Sequence, residues 1–395
     1  YLIEILGEIS DDFGIEKALL EYYTIKPYYL SQDTSLNEIL IFNSINKNTT
    51  EYFNYNWDVS TLDIGPGDEI VYWIKAYDNN TETGPGIGFS NQLRAYFPSL
   101  EELFLNLEDE QENIFENFDD MNESMEELKN MYNDISNDVL KEEMGWDQEQ
   151  ESEEMINELE KISNKIESLE QTIEAIEQLN ENNNLINENL GEKIKALQKM
   201  FQDMMTPELM KALQELQNSL NEDDLKKSLE QLNNFEFEMS DLEEKIDRMM
   251  DLFEKIVAEQ KLDELIKKIE NMANLQDDIS NEINKNENDS NIQTMEKKQN
   301  DNLNSFLESM KEAESLIKDD NTSNSLEELR NSRTTENLKK EIKNISEEDN
   351  YNNKEMISNK IKEDISEIEN KLNEIISEHN KKTKLEILTM YTRII

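Results

Sequence analysis

Up to Pro98, apolar and polar residues alternate along the chain, and from Ser99 onward apolar residues recur at spacings of three and four. A β region therefore gives way to helices at that point. The clearest strand puts Phe53, Tyr55 and Trp57 on one face and Asn54, Asn56 and Asp58 on the other. Beyond the turn Gly65-Pro66-Gly67-Asp68, Ile70, Tyr72, Ile74 and Ala76 alternate with Val71, Trp73, Lys75 and Tyr77. The first set is assigned to the core because the second contains Lys75. Val71, Trp73 and Tyr77 still leave the second face apolar enough to read as a surface for a protein partner. Earlier runs fit the same plan: Ile3, Ile5 and Ile9 with Gly7 read as a bulge, then Ala18, Leu20 and Tyr22, then Ile39 to Phe42. Asp11, Asp12 and Gly14 supply the turn between the first two.

Ser99 and Glu102 form a capping box at the entry of a first helix that should reach about Met144, with Gly145 as stop and Trp146 as packing anchor. The series Met155, Leu159, Ile162, Ile166, Leu169, Ile173 and Ile176 then repeats at heptad spacing and needs a partner helix. Asn180 to Asn184 interrupt it before Leu190, Ile194, Leu197, Phe201 and Met204 resume. Thr206 is placed as an N-cap with Pro207 in the first helical position, ahead of Leu209, Leu213, Leu216 and Leu220. Asn221 to Asp224 cap a further helix whose stripe includes Leu225, Leu229, Leu232, Met239, Leu242, Ile246, Met249, Phe253 and Ile256, and later Leu265, Ile269 and Met272. Breaks near 145, 182, 206 and 221 predict helices that fold back on one another, as an antiparallel coiled coil or elongated bundle rather than one rod. Residues 281–353 are rich in Asn, Lys, Glu and Ser, and predict a loosely ordered or intermittently helical stretch. A helix returns with Ile357, Ile361, Ile365, Ile368, Leu372 and Ile375, and the apolar ending from Leu385 to Ile395 reads as part of a truncated element.

The expected fold class is α+β in separate domains. Residues 1–98 form a β-sandwich, 99–280 an acidic helical coiled coil or bundle, 281–353 the loose segment and 354–395 the last helix.

Charge narrows what such a chain can do. Lys plus Arg total 39 against 91 Asp plus Glu, a formal net charge of -52, which repels phosphate backbones and excludes nucleic acid as a natural partner. Self-repulsion of that size predicts stability that rises with salt. The absence of cysteine excludes disulfides, thiolate catalysis and Cys-based metal sites, yet leaves the compartment open. His379 is the only histidine and lies in a Lys-, Glu- and Asn-rich helical stretch, a poor setting for a Ser-His-Asp triad. Carboxylate pairs such as Glu153 and Glu154 are explained by solvated helix faces, because so acidic a chain produces them by chance. The Met and Phe stripe is more economically core filling than a groove for a partner. The chain opens on Tyr1 and contains no apolar run long enough to span a bilayer, so any anchor is expected outside it. In the loop after the last long strand, Asp78, Asn80 and Glu82 alternate like the start of a calcium loop. The Gly and distal Glu of a complete one are out of register, so a plain hairpin tip is preferred.

The series Ile64, Pro66, Ile70, Tyr72, Ile74, Ala76 and Asp78, followed by a Gly-rich loop and a last strand from Ser90 to Phe97, resembles the final hairpin of fibronectin type III and immunoglobulin-like modules. It departs from them in having Ile70 at the position of the usual corner tyrosine. With Asp11-Asp12-Phe13-Gly14, the junction from Phe97 to Glu102, Trp146 and the segment Met205 to Leu213, residues 1–280 resemble a family of large uncharacterised bacterial membrane proteins, catalogued as a domain of unknown function. The resemblance implies an upstream membrane anchor, a β module on the periplasmic side of the inner membrane and a long helical region. It implies no catalytic residue, cofactor or metal ligand. The expected function is non-enzymatic structural or scaffolding work in the bacterial cell envelope, with a β-sandwich presented on a helical stalk. The alternative is a ligand-binding or adhesion module, calcium-dependent through Asp78, Asn80 and Glu82 or acting through the Val71, Trp73 and Tyr77 face. A carboxylate-only enzyme, such as a glycoside hydrolase, would need a cleft that extended helices rarely form.

Overall fold

The computed structural model describes the backbone except at residues 1, 31, 33, 45–47, 81, 83, 142–145, 184, 203, 205–206, 222–224, 286–288, 349 and 395, and describes no side chains at 146–149, 182, 221, 225, 289–290 and 384–394. Gly145 and the Trp146 side chain, the caps expected at Thr206 and at Asn221 to Asp224, and the apolar side chains from Leu385 to Ile395 lie outside the described residues. An antiparallel β region leads into a mostly helical remainder, with seven strands and then nine α-helices among the described residues. The chain divides into two compact units. One comprises Tyr1–Phe104, Glu270–Asn304 and Arg333–Glu367, and the other Leu105–Ile269, Ser305–Ser332 and Ile368–Ile395. Each unit gathers stretches far apart in sequence, so neither coincides with one of the four segments expected from composition.

In the first unit, β1 (Leu2–Ser10) pairs with β4 (Thr50–Asp58) as a two-stranded sheet. The second sheet runs β3 (Asn37–Asn43), β2 (Ile15–Ile25) and β5 (Glu69–Asp78), and is completed by β6 (Ile87–Phe89) and β7 (Leu93–Tyr96), both paired with β5. The two sheets share one core: Ile5 and Trp57 from the first meet Leu20, Tyr22, Ile70 and Tyr72 from the second, with Val59 and Phe97 beside them. The Trp57 ring lies 4.8 Å from that of Tyr22 and 5.6 Å from that of Tyr72. The period-two reading of β4 and of the start of β5 is thus what the core uses.

Gly7 is not a bulge. β1 and β4 pair without a break from Leu2↔Asp58 to Ser10↔Thr50, and Gly7 sits opposite Phe53. A Cβ at Gly7 would lie 2.3 Å from the Phe53 ring, so the glycine makes room for an aromatic ring lying over the backbone. The irregularities fall instead in the second sheet, at Glu16 of β2 against β5 and at Ile41 of β3, where the register shifts between Ala18 and Leu19.

The strand-to-helix junction closes as a capping box. The Ser99 backbone N–H donates to Glu102 Oε2 at 2.8 Å, the Glu102 N–H donates to Ser99 Oγ at 3.3 Å, and the Tyr96 hydroxyl also donates to Glu102. Phe97 exchanges backbone hydrogen bonds with the Gly67–Asp68 turn, where Gly67 takes φ 86°, a conformation suited to glycine. The hydrogen bonds from Tyr96, the largest cause, and from Ser99 hold the Glu102 carboxyl below its ordinary pKa. The cap's contribution is therefore complete above the ordinary glutamate range and is lost as pH falls through the lowered value.

The helices are α1 (Leu100–Leu140), α2 (Trp146–Asn183), α3 (Glu188–Gln202), α4 (Pro207–Asn221), α5 (Leu225–Lys285), α6 (Asp289–Leu316), α7 (Asp320–Arg330), α8 (Arg333–Glu347) and α9 (Tyr351–Ile394). The α2 series from Met155 to Ile176 is buried at each of its seven positions, as are Leu190, Ile194, Leu197 and Phe201 of α3 and Leu209, Leu213, Leu216 and Leu220 of α4. Helices α1 and α5 of the second unit run antiparallel. Glu108 of α1 meets Lys261 of α5, Phe115 meets Phe253, Lys129 meets Glu243 and Tyr132 meets Glu236, one number rising as the other falls.

Of the two alternatives for residues 281–353, loose order or intermittent helix, residues 289–347 take the second, as α6, α7 and α8 separated by short breaks. Apolar residues are sparse there but fall on one stripe: Ile292, Met295, Leu303, Phe306 and Met310 are all buried on α6, and Leu338, Ile342 and Ile345 on α8. A narrow helical seam needs only two apolar residues in about seven, so average composition understates it.

Candidate functional site

From Ile256 to Leu265 every residue of α5 is buried, although five of the ten are Glu259, Gln260, Lys261, Asp263 and Glu264. A helix enclosed on all sides needs partners for its charges, since an unpaired buried charge costs several kcal/mol, and here all but the neutral Gln260 Nε2 find a hydrogen bond or an ion pair. The partners come from four directions within the second unit. From α1, Gln111 Nε2 reaches Gln260 Oε1 at 3.4 Å and Glu108 accepts from Lys261. From the start of α3, Asn187 donates its backbone N–H and its Nδ2 to the Asp263 carboxylate at 2.8 and 2.7 Å, while Lys193 pairs with Glu259. From α6, Ser309 donates to Glu264 at 2.7 Å and Glu312 lies 3.1 Å from Lys261. From α9, His379 Nε2 stands 3.9 Å from Glu259.

Burial acts on each of these groups, and the neighbours decide the outcome. It works to lower the Lys261 pKa, but Glu264 and Glu108 outweigh it and hold the ammonium above the usual lysine range. It works to raise Glu264, yet Lys268 and Lys261 keep that carboxyl low. Asp263 receives two hydrogen bonds from Asn187 and the pull of Lys267, but burial, with Glu259 adding to it, outweighs them and pushes it up to about 6. Burial also lowers His379, against the pull of Glu259 and Asp319, and thus favours the neutral ring.

The lone histidine therefore has triad-like neighbours, and their proton arrangement is informative. His379 Nδ1 is 3.1 Å from Thr322 Oγ1, whose own proton goes to Asp319 Oδ2 at 2.5 Å. Asp319 is the N-cap of α7, and its hydrogen bonds with Thr322 hold its carboxyl low, so it stays an acceptor. That places the ring proton on Nδ1, donating to Thr322, and the threonine cannot act as a nucleophile handing its proton to the ring. Thr322, His379 and Glu259 are 4 %, 6 % and 5 % exposed, which seals them from any substrate.

The first unit repeats the device on a smaller scale. Lys354 of α9 pairs with Glu296 of α6 at 2.9 Å with both side chains buried, and Gln276 Nε2 donates to Ser358 while Gln299 Nε2 donates to Gln276 Oε1.

The residues singled out in the β region serve local structure. Val71 is completely buried, so it offers no docking area, and Trp73 and Tyr77 are half-buried. That face is organised by Glu21, which accepts from Trp73 Nε1 at 2.8 Å and Lys75 Nζ at 2.6 Å, while Lys17 and Lys75 lie over the Tyr77 ring. Asp78 Oδ1 accepts from the Asn80 and Gly86 backbone N–H groups, and Asn80 Oδ1 accepts from that of Glu82, so these oxygens shape the hairpin tip. No group of three or more His, Cys, Asp or Glu side chains suited to a metal occurs among the described residues. Glu153 and Glu154 are exposed on α2. No helix among the described residues is long and apolar enough to cross a membrane.

Sequence reading missed the α5 cluster because its Glu, Lys and Asp look like any solvated face. One signal was present: the adjacent apolar residues Ile256-Val257-Ala258 and Leu265-Ile266 widen the stripe beyond what one neighbouring helix can cover.

Compared with protein-family models, with curated proteins and with solved structures, the chain matches none.

Asp263 yields a pH prediction. Between its ordinary 3.8 and about 6 the folded state holds more protons at this site than the unfolded chain, so the carboxyl costs stability increasingly as pH rises through that window. His379 has the opposite sign: its lowered value removes stability as pH falls below the ordinary histidine range. Comparing Asp263→Asn with the parent isolates the first effect. The stability difference should move in the variant's favour by about 2–3 kcal/mol between pH 4 and pH 6.5. Urea midpoints across that range measure it, and a difference independent of pH would contradict the assignment.

Proposed function

We propose that this chain is a non-enzymatic structural or scaffolding protein of the bacterial cell envelope, held to a membrane by an anchor outside residues 1–395. Its two sheets are read as a fibronectin type III-like sandwich and its antiparallel helices as coiled-coil packing, together offering surfaces on which other proteins assemble. The observation that carries the reading is the fate of the ionisable groups in the helices. His379 is paired with Thr322, and Lys193, Lys261, Glu259 and Glu264 are paired with one another or with neighbouring side chains inside the packing. Buried pairs of this kind contribute little net stability over apolar side chains but penalise every register except the one in which they meet. Uniquely registered helices are what a spacer or assembly platform requires.

The test combines location with tolerance. In whole cells, chemical cross-linking should join the full-length protein to other envelope proteins. The triple variant Lys193→Met, Glu259→Leu, His379→Leu should retain those cross-links, because it replaces the cluster by apolar volume. Recovery in the soluble fraction without partners, or loss of partners in a variant that still folds, would refute the proposal.

A further inference from the structure

We propose that the free edge of β1 captures an extended cationic strand from a partner protein, adding a third strand to the β1–β4 sheet. The inference deepens the scaffold reading by naming the chemistry of one partner. It rests first on pairing. β1 is hydrogen-bonded along its full nine residues to β4 on one side, and no strand pairs with its other side among the described residues. Every second backbone N–H and C=O of such a strand points outward and is a template for another chain.

Edge strands are ordinarily blunted by lysine, proline, a bulge or a twist, and β1 has none of the first three. Its sequence, Leu-Ile-Glu-Ile-Leu-Gly-Glu-Ile-Ser, contains no basic residue and no proline, and its register is unbroken. β3, at the edge of the other sheet, is by contrast interrupted by the shift between Ala18 and Leu19 and places Glu38 3.7 Å from Lys75.

The side chains select the occupant. Leu2 and Leu6 on β1 and Tyr52 on β4 are 66 %, 69 % and 75 % exposed on the solvent face, with Glu4 and Glu8 also exposed between and beyond the leucines. The two strands carry Glu4, Glu8, Glu51 and Asp58 and no Lys or Arg. A second copy would bring the same carboxylates and a further net charge of -52 to the edge, so self-pairing is opposed. A strand with Lys or Arg at alternate positions meets Glu4 and Glu8 on the solvent face. Its intervening apolar residues extend the inward row of Ile3, Ile5 and Ile9, since side chains alternate across a strand.

The probe is a pair of synthetic nonapeptides of equal composition, one alternating Lys with Val and one with Lys and Val in separate blocks, added to the full chain at 0.15 M salt. The alternating peptide should bind at least tenfold more tightly, and should slow amide exchange at alternate β1 residues at least tenfold while helical amides are unchanged. Glu4→Lys with Glu8→Lys should abolish the preference and lower the thermal midpoint only slightly, because the hydrogen bonds it removes, from Asn54 and Tyr52, are exposed. Equal binding of both peptides, protection spread over the acidic helices instead of β1, or concentration-dependent dimerisation lost on Leu6→Lys would each overturn the proposal. None of these outcomes touches the cross-linking result that tests the scaffold reading, so the two fail separately.

Discussion

Replacing Lys193 with methionine should destabilise the second unit by about 3–5 kcal/mol, because it strands Glu259 as an uncompensated charge in a closed interior. Both side chains of the pair are almost inaccessible, at 7 % and 6 % exposure, so water cannot stand in for the ammonium. Adding Glu259→Leu to the same protein should return most of the loss, since replacing both partners by apolar groups removes the desolvation cost along with the attraction. His379 adds a second readout. Its Nε2 is 3.9 Å from Glu259 Oε1, and the ring is held neutral by burial although Glu259 favours its charged form. With Lys193 gone, one cation that lowers His379 is removed while Glu259 remains, so the imidazolium becomes easier to form. The penalty of Lys193→Met should therefore shrink as pH falls toward 5, whereas the double variant should show no such dependence on this pair. Urea unfolding at pH 8 and pH 5 measures both. A single variant within about 1 kcal/mol of the parent, or a double variant no better than the single, would show that the pair is not buried as described.

How much of this could be read from the sequence follows from what each pattern encodes. The change of period at Ser99 marked the end of the strands, and the Ser99 and Glu102 spacing located a cap whose hydrogen bonds form as expected. The faces of β4 and the start of β5 followed from alternation, because a strand has only two sides. Gly7 was misread because glycine in a strand marks either a bulge or close approach, and only the cross-strand partner Phe53 separates the two. Residues 289–347 were left between loose order and intermittent helix for a related reason: composition averages over the helix, while burial depends on the few positions that face a neighbour. Val71 shows the same limit from the opposite side. Alternation with Lys75 marked its face as outward, yet Val71 is completely buried while Lys75 on the same face keeps partial exposure. The α5 cluster was the least legible. Nothing in Glu259-Gln260-Lys261 distinguishes a buried polar belt from a wet one until the four surrounding chain segments are known.

Trp57→Ala should cost about 3–5 kcal/mol in the first unit, comparable to other large-to-small changes of a buried aromatic residue. Trp57 is 2 % exposed and is the largest side chain joining the two sheets, with its ring packed against Tyr22 of β2 and Tyr72 of β5. The β1–β4 sheet has only two strands, and a two-stranded ribbon is marginal alone, so its order depends on this contact with the second sheet. Amide exchange in β1 and β4 should accelerate by two to three orders of magnitude, given about 1.4 kcal/mol per factor of ten, with β2 and β5 following. Trp57→Phe keeps an aromatic ring in the site and should lose only about 1–2 kcal/mol. Protection of β1 unchanged in Trp57→Ala would mean that something other than this core holds the sheet. The comparison also bears on strand capture. Trp57→Ala should weaken binding of the alternating cationic peptide by loosening the template, and Glu4→Lys with Glu8→Lys should weaken it on a template that stays ordered. An ordered edge and a complementary charge pattern are thus separable requirements, since one variant removes the sheet's support and the other reverses the charge of its surface at the cost of two exposed hydrogen bonds, from Tyr52 and Asn54.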